Sequence, residues 1–142
     1  MKKLSPAVIR GLKREITQIP FPSSLGNRIE RLKPGFAEVS VKYKKSLTQG
    51  YGCLHGGVLA SLADTAAAFA TRTLIEPEDK LVTLELKINY LNPAQSDLKA
   101  LAKVIHRGRR TVVIDVEVKD KKNHLCAKAL LTYVIFVKGK YP

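Results

Sequence analysis

Cysteine is scarce in this chain: Cys53 and Cys126 are the only two among 142 residues. Neither stands at the spacing of a metal-ligand motif, so the sequence predicts no structural metal site. Proteins that keep a few unpaired cysteines are typical of reducing compartments. We therefore interpret both side chains as reduced thiols of a cytoplasmic protein.

Long apolar runs are also absent. No stretch of 18 or more apolar residues occurs, so the sequence predicts no membrane-spanning helix. The N-terminus is basic, but Arg10, Lys13, Arg14 and Glu15 interrupt the hydrophobic region that a secretory signal would need. With 45% hydrophobic and 26% charged residues, the sequence fits one globular domain, 1–142, that can bury its own core.

Acidic residues are few, 12 against 25 lysines and arginines, which leaves a formal net charge of +13. Such a charge is typical of proteins that bind nucleic acid or a phosphate-rich ligand, but a general surface bias also produces it. No basic helix or RNA-binding aromatic motif accompanies the charge, so we expect no nucleic-acid partner and keep phosphate recognition open. The densest groups are Lys42-Lys44-Lys45, Arg107-Arg109-Arg110 and Lys119-Lys121-Lys122.

The hydrophobic pattern predicts a short helix followed mainly by strands. Ser5-Pro6 is typical of a helix N-terminus, and apolar residues at helical spacing extend this helix to about residue 18. A proline-bearing connection follows at 19–24. Alternating apolar and polar residues predict strands near 37–43, 82–90, 98–104 and 112–118, and a shorter strand is expected near 28–31. The segment 125–137 is mostly apolar on both faces, which predicts a central strand. In the strand at 82–90, one face carries Val82, Leu84, Leu86, Ile88 and Tyr90.

Between the strands at 37–43 and 82–90 lies a segment that is apolar almost all round a helix. Such a helix is buried, and its few polar residues form one narrow stripe. Asp64 is the only carboxylate between Gly56 and Ile75. Tight hairpins among the last four strands favour an antiparallel sheet, which has to wrap around the helix to cover its sides. The predicted fold class is therefore α+β.

Gly56 and Gly57 stand where this helix begins. Glycines let a ligand approach the backbone closely, and the first N–H groups of a helix lack partners within it, so this terminus can polarise a carbonyl. The alternative is a steric role in a tight turn. Asp64 is the stronger candidate, because a buried carboxylate needs either a partner or a function. The alternative there is a core hydrogen bond, for example to Thr65 or Thr83.

Eight residues separate Gly56 from Asp64, which corresponds to roughly 12 Å along a helix axis. The two residues of one chain therefore cannot touch the same scissile carbonyl. If both are catalytic, the acid of one chain has to face the helix terminus of another. The sequence thus predicts a homodimer with two composite sites.

Other nucleophiles and bases fit less well. His55 precedes the helix and suits either a general base or a hydrogen bond to the loop backbone. His106 and His124 fall at predicted hairpin ends. Only the nearby helix start would activate Cys53 as a nucleophile.

The motif Gly52-Cys53-Leu54-His55-Gly56-Gly57, followed by Leu62-Ala63-Asp64 and Ala66, resembles that of the hot-dog fold acyl-CoA thioesterases. The resemblance is strongest to the PaaI-type branch, the thioesterases of phenylacetic acid degradation. Two later segments, 87–94 and 108–111, are also similar, and the resemblance covers about residues 20 to 137.

This resemblance implies five or six antiparallel strands around the long helix, in homodimers that often pair into homotetramers. It implies that the Gly56 N–H polarises the thioester carbonyl. Asp64 of the neighbouring chain would then be the nucleophile or the general base for water. Thr83 stands where a hydroxyl commonly orients water or the acid, and Gln49 stands where this branch often has asparagine.

The resemblance also implies an acyl-CoA substrate, and it requires neither a metal nor a further cofactor. His55 and Gly57 would contact the substrate beside the helix terminus. Arg109 and Arg110 are candidate contacts for the CoA phosphates, with a solvated hairpin as the alternative. The nature of the acyl group, aryl or medium-chain, stays open.

Three other functions are compatible with parts of the sequence. A hot-dog protein that binds acyl-CoA without hydrolysing it would share the same motifs. A nucleic-acid-binding protein would account for the charge but not for Asp64 in an apolar helix. A dehydratase of the same fold is disfavoured, because its spacing of aspartate and histidine is absent.

Overall fold

The computed structural model describes residues 3–139, which form a six-stranded antiparallel sheet and one long helix packed across it. The α-helices are α1 (Pro6–Gln18), α2 (Pro20–Ser24) and α3 (Gly56–Arg72), and the strands are β1 (Arg28–Lys33), β2 (Phe36–Val41), β3 (Lys80–Tyr90), β4 (Leu98–Arg107), β5 (Thr111–Asp120) and β6 (Leu125–Phe136). The predicted order of two strands, a buried helix and four strands is confirmed. The predicted domain limits include residues 1–2 and 140–142, which lie outside the described residues.

The predicted N-terminal helix is confirmed as α1. Ser5 caps it, because its side-chain oxygen accepts a hydrogen bond from the Val8 N–H at 3.2 Å. The buried residues Leu12 and Ile16 pack α1 against β1 and join it to the main core.

The segment 19–24 was expected to be an irregular connection, but its residues 20–24 form the short helix α2. The reason is Pro20, which occupies the first position of a new helix, where its missing N–H costs no hydrogen bond. Within residues 3–139, none of the helices has both the length and the apolar character needed to cross a membrane.

The sheet has the strand order β1-β2-β4-β5-β6-β3. Strand β6 therefore lies between β5 and β3, as expected for a central strand. Its neighbour β3 forms one edge of the sheet and pairs only with β6 among the described strands. Gly35 supplies a φ of +71° in the turn from β1 to β2, a conformation that residues with a Cβ rarely adopt.

Alanines allow α3 to approach the sheet closely. Ala63, Ala66, Ala67 and Ala70 have no exposed surface, and the helix packs across β2, β4 and β5. The sheet packs around α3 as predicted, and the narrow polar stripe expected on this helix is its less buried side. A half-buried stripe remains along the helix, because a single sheet layer packs against it, and this stripe includes Asp64. Its residues are Ala60, Ser61, Asp64, Thr65, Ala68 and Arg72.

A β-bulge in β3 corrects the predicted alternation of that strand. Thr83 pairs with Tyr133, while Glu85 pairs with the next residue, Thr132, so Leu84 is an additional residue. The apolar face therefore changes phase at the bulge. Val82 and Leu84 are exposed. Leu81 and Thr83 lie on the helix-facing side before the bulge, and Leu86 and Ile88 lie on that side after it.

We predict that Ala66→Leu destabilises the protein by about 1–3 kcal/mol, because the added carbons have no space between α3 and the sheet. The measurement is the free energy of unfolding from chemical denaturation. Ala7→Leu, the same change on the exposed surface of α1, is the control and should alter stability by less than about 0.5 kcal/mol. Equal stability of Ala66→Leu and the parent would contradict the close packing of α3.

Candidate active site

His55 caps the N-terminus of α3. Its Nδ1 accepts a hydrogen bond from the Gly57 N–H at 2.8 Å, and the ring itself is exposed. This hydrogen bond uses the lone pair of Nδ1 and leaves Nε2 on the exposed side of the ring. Of the roles considered for His55, the hydrogen bond to backbone is the one this geometry displays. The Gly57 N–H already donates to His55, so it is not free to donate to a substrate.

The Gly56 N–H, in contrast, has no acceptor among residues 3–139. Tyr90 lies against this residue and donates its hydroxyl to the Gly56 carbonyl oxygen at 2.8 Å. A Cβ at position 56 would stand 3.2 Å from the Tyr90 ring, so a larger residue there would push the Tyr90 side chain away by a few tenths of an ångström. The start of α3 therefore carries a free N–H at Gly56, and Tyr90 holds the carbonyl group of the same residue.

A groove of about 400 Å³ opens beside Gly56. Gln49 and Cys53 line it, together with Tyr90 and the segment 91–94. The Gln49 side-chain oxygen accepts a hydrogen bond from the Tyr51 N–H, so the amide folds back onto its own loop. Its NH₂ group remains available on the wall of the groove.

Asp64 is held by two hydroxyl groups. Thr83 Oγ1 donates to Asp64 Oδ1 at 2.8 Å, and the Tyr133 hydroxyl lies 2.7 Å from the same oxygen. Burial, and then the negative charge of Asp64, raise the pKa of Tyr133 far above its ordinary value. The phenol therefore stays protonated and acts as a donor. The predicted partnership of Asp64 with Thr83 is confirmed as a hydrogen bond.

A second cavity, of about 650 Å³, begins one helical turn beyond Asp64. Ala68 and Phe69 of α3 form one wall, and Leu81 of β3 forms another. At the far end, Arg72 makes an ion pair with Glu15 of α1 at 3.1 Å. The cavity is thus mainly apolar near the acid and charged at its far end.

Gly56 and Asp64 of one chain do not meet. They occupy the first and third turns of α3, and Asp64 does not line the groove beside Gly56. The described chain brings Thr83 to Asp64, and it brings Gln49 and Tyr90 to Gly56. These are two half-sites, one at each end of the same strand, β3.

Arg109 and Arg110 lie in the exposed turn between β4 and β5. They border a groove of about 540 Å³ together with residues 134–138 at the end of β6. The Arg110 carbonyl accepts the Ile135 N–H at 2.7 Å, which fixes the turn beside β6. Neither guanidinium group has an acidic partner within residues 3–139.

The three basic clusters lie at two ends of the sheet. Lys42-Lys44-Lys45 and Lys119-Lys121-Lys122 are neighbours, because Asp97 accepts the Tyr43 N–H at 2.8 Å and contacts Lys121 Nζ at 3.7 Å. Arg107–Arg110 and Lys119–Lys122 lie at opposite ends of β5, about 30 Å apart. His124 contacts Asp120 at the second of these ends, at 3.2 Å, and His106 lies on β4, away from Asp64. Neither Cys53 nor Cys126 forms a disulfide bond.

Two functional candidates, Tyr133 and Tyr90, were not found from the sequence. Tyr133 is 69 residues from Asp64 in the chain, and it lies in a run that reads as a uniformly apolar strand. Tyr90 was interpreted as one more member of an apolar face. The only available signal was a hydroxyl in otherwise apolar strands, which does not reveal its partner.

Comparison with known proteins identifies the family of this chain. The sequence model of the Thioesterase superfamily matches residues 51–127, which contain both half-sites apart from Gln49 and Tyr133. A protein of Saccharolobus solfataricus, named as a candidate esterase, is 40% identical over 113 residues, which cover 79% of this chain and 75% of the relative. A 1,4-dihydroxy-2-naphthoyl-CoA hydrolase of Listeria monocytogenes is 31% identical over 118 residues, which cover 82% and 96%.

A solved structure provides the matching architecture. The Escherichia coli PaaI protein from the phenylacetic acid degradation operon superposes with a TM-score of 0.85 at 27% identity, over 95% of this chain and 97% of that one. The six-stranded sheet around α3 is therefore the hot-dog fold. With the family model covering more than half of its length, the chain belongs to the thioesterase superfamily.

Proposed function

We propose that this protein hydrolyses acyl-CoA thioesters, at two composite sites formed by a homodimer. The observation that carries the proposal is the position of the half-sites on β3. Asp64 lies beside Thr83 near one end of this strand, and Gly56 lies beside Tyr90 at the other end. Since β3 is an edge strand, a second copy can continue the sheet there.

Antiparallel pairing of β3 with β3 of a second copy brings the two half-sites together. A two-fold axis between Leu86 and Lys87 places Thr83 of one copy opposite Tyr90 of the other. The Asp64 carboxylate then faces the free Gly56 N–H of the second copy. The 12 Å that separates these residues within a chain is no obstacle in this arrangement.

In the proposed reaction, the thioester carbonyl oxygen accepts a hydrogen bond from the Gly56 N–H, which stabilises the negative charge of the tetrahedral intermediate. Asp64 takes a proton from water as the water oxygen attacks the carbonyl carbon. The carbon–sulfur bond then breaks, and the proton passes to the leaving thiolate. The products are the free acid and CoA. Alternatively, Asp64 attacks directly, and water hydrolyses the mixed anhydride. Neither route needs a metal or a further cofactor.

The acyl group would occupy the 650 Å³ cavity, because the end of this space that lies one helical turn from Asp64 is apolar. In the proposed dimer, Val82 lies opposite Leu91 of the second copy, and Leu81 lies opposite Asn92. The cavity of one chain therefore adjoins the groove of the other. The combined space suits an aryl or a medium-chain acyl group better than acetyl.

The composite site predicts complementation between two inactive variants. Asp64→Asn removes the base, and Gly56→Pro removes the N–H while keeping a residue that favours the first position of a helix. Each variant alone should lose at least about 100-fold in kcat for release of CoA thiol. A heterodimer purified by two different tags retains one intact site and should recover about half of the parent rate.

Gly56→Ala is the matched control for this experiment, since it crowds Tyr90 in the same way but keeps the N–H. It should be clearly more active than Gly56→Pro. No recovery in the heterodimer would reject the composite site, and normal turnover by Asp64→Asn would reject hydrolysis by this acid. Ligand binding without thiol release by the parent would favour a non-catalytic acyl-CoA-binding protein.

The acyl cavity can be tested by filling it. Ala68→Leu should lower kcat/KM for aryl or octanoyl esters by about 10-fold or more, because the leucine occupies space next to Asp64. Hydrolysis of acetyl-CoA should change much less. Ala7→Leu should leave both substrates unaffected. Equal loss on short and long acyl groups would place the acyl group elsewhere.

The two turn arginines are proposed to bind the CoA phosphates. Changing both Arg109 and Arg110 to glutamine should raise KM for CoA esters about 3- to 30-fold, with little effect on the matching pantetheine thioesters, which lack those phosphates. The control is Lys121→Gln with Lys122→Gln, which removes the same charge at the opposite end of β5. A similar effect on both substrates would exclude the arginines from phosphate binding.

A further inference from the structure

The helix-facing side of the sheet is apolar except where it meets Asp64. Tyr133 is the only buried residue of the described strands that carries a hydroxyl group, and it is 3% exposed. Its hydroxyl oxygen lies 2.7 Å from Asp64 Oδ1 and 2.8 Å from the Asp64 carbonyl oxygen. A buried phenol in an apolar layer requires a partner, and both of its partners belong to one residue.

The sheet register brings Tyr133 and Thr83 to Asp64 together. The two residues are direct partners in the pairing of β3 with β6. The bulge at Leu84 begins immediately after Thr83. Because of it, Thr83 faces the helix on the N-terminal side of the bulge and Leu86 faces the helix on the C-terminal side. Both hydroxyls therefore approach the carboxylate from the same side.

As a consequence, the two carboxylate oxygens of Asp64 are unequal. Oδ1 has both hydroxyl groups within hydrogen-bond distance, whereas Oδ2 accepts no hydrogen bond from any residue in the described range 3–139. A carboxylate held through one oxygen keeps a fixed plane and directs the lone pairs of the other oxygen. The orientation of Oδ2 thus depends on two hydroxyls, of which one is Tyr133.

We propose that Tyr133 is a positioning residue for the reaction: together with Thr83 it fixes Oδ1 of Asp64, so that Oδ2 is the oxygen that acts on water or on the thioester carbon. This inference rests on the proposed hydrolysis at Asp64. It applies equally to the general-base route and to the nucleophilic route. Tyr133 itself does not touch the substrate.

The charged groups around this carboxylate are few, which makes pH a clean measurement. On α3 the other charge is Arg72, two turns away and paired with Glu15. The acids of β5, Asp115 and Glu117, lie on the outer face and contact Lys128 of β6. Glu85 of β3 is exposed beyond the bulge.

Among the other strands packed against α3, the remaining charges also lie away from Asp64. Glu38 of β2 pairs with Arg31 of β1, and Lys99 and Lys103 of β4 alternate with the buried alanines of that strand. The hydroxyl groups of Thr83 and Tyr133 are therefore the groups that contact the Asp64 carboxylate.

Tyr133→Phe tests the inference, because it removes the hydroxyl and keeps the ring. We expect kcat to fall about 10- to 100-fold, as for a lost hydrogen bond to a charged group, while KM for the same acyl-CoA stays within about 2-fold. The pH–rate profile should change as well, because a hydroxyl that contacts Oδ1 is lost. Thr83→Val, which removes the other contact to Oδ1, should alter kcat and the profile in the same way.

Thr71→Val is the control, since Thr71 is buried in the same helix but donates only to the Ala67 carbonyl, at 2.9 Å. It should change stability without moving the pH profile or the ratio of kcat to KM. If Tyr133→Phe behaves like this control, Tyr133 only anchors the α3 backbone and the inference is overturned.

Failure of the proposed function can be recognised separately in the same assay. If Asp64→Asn hydrolyses the ester at the parent rate, the acid has no catalytic role and the proposed function itself is wrong. If Asp64→Asn is inactive while Tyr133→Phe keeps the parent kcat and pH profile, only the positioning role is lost.

Discussion

The need to accommodate one carboxylate in an apolar helix is the constraint on which the organisation of this protein depends. An ionised acid set among alanines and leucines loses hydration, and hydrogen bonds from the surrounding structure have to replace it. Hydrogen bonds to a charged group contribute about 1.5–3 kcal/mol each, so two donors offset much of that cost. Those donors come from β3 and β6, two strands that pair with each other. The sheet edge is thereby tied to the acid.

The opposite end of β3 serves the helix start in a similar way. Tyr90 holds the carbonyl of Gly56, and His55 occupies the N–H of Gly57. Within the described residues 3–139, the Gly56 N–H remains without an acceptor. One strand therefore supports both half-sites, and its position at the sheet edge gives a second copy access to them. Strand pairing, helix capping and the proposed chemistry thus depend on the same eleven residues of β3.

Local patterns were sufficient to predict α1, α3 and the six strands, though not α2, and to select Gly56 and Asp64 as candidates. Ser5-Pro6 marked the start of α1, and the glycines marked the start of α3, because caps and helix termini depend on neighbouring residues. Asp64 stood out because its surroundings in the sequence are apolar. The bulge at Leu84 left no signal in the sequence, because apolar and polar residues alternate through it without a break. The side of the strand that faces the helix changes there only because of the pairing with β6. Tyr133 escaped for the same reason, since its role exists only once distant segments of the chain meet.

The walls of the proposed acyl cavity have different origins. Ala68, Phe69 and Leu81 belong to the helix and strand that also support the acid, whereas Glu15 and Ile19 come from the N-terminal segment, outside the region that the family model matches. This segment joins the cavity through the ion pair of Glu15 with Arg72. Substitutions in the first twenty residues can thus reshape the far end of the cavity without disturbing β3 or α3. Divergence of specificity among duplicated copies of such a gene would be least constrained there.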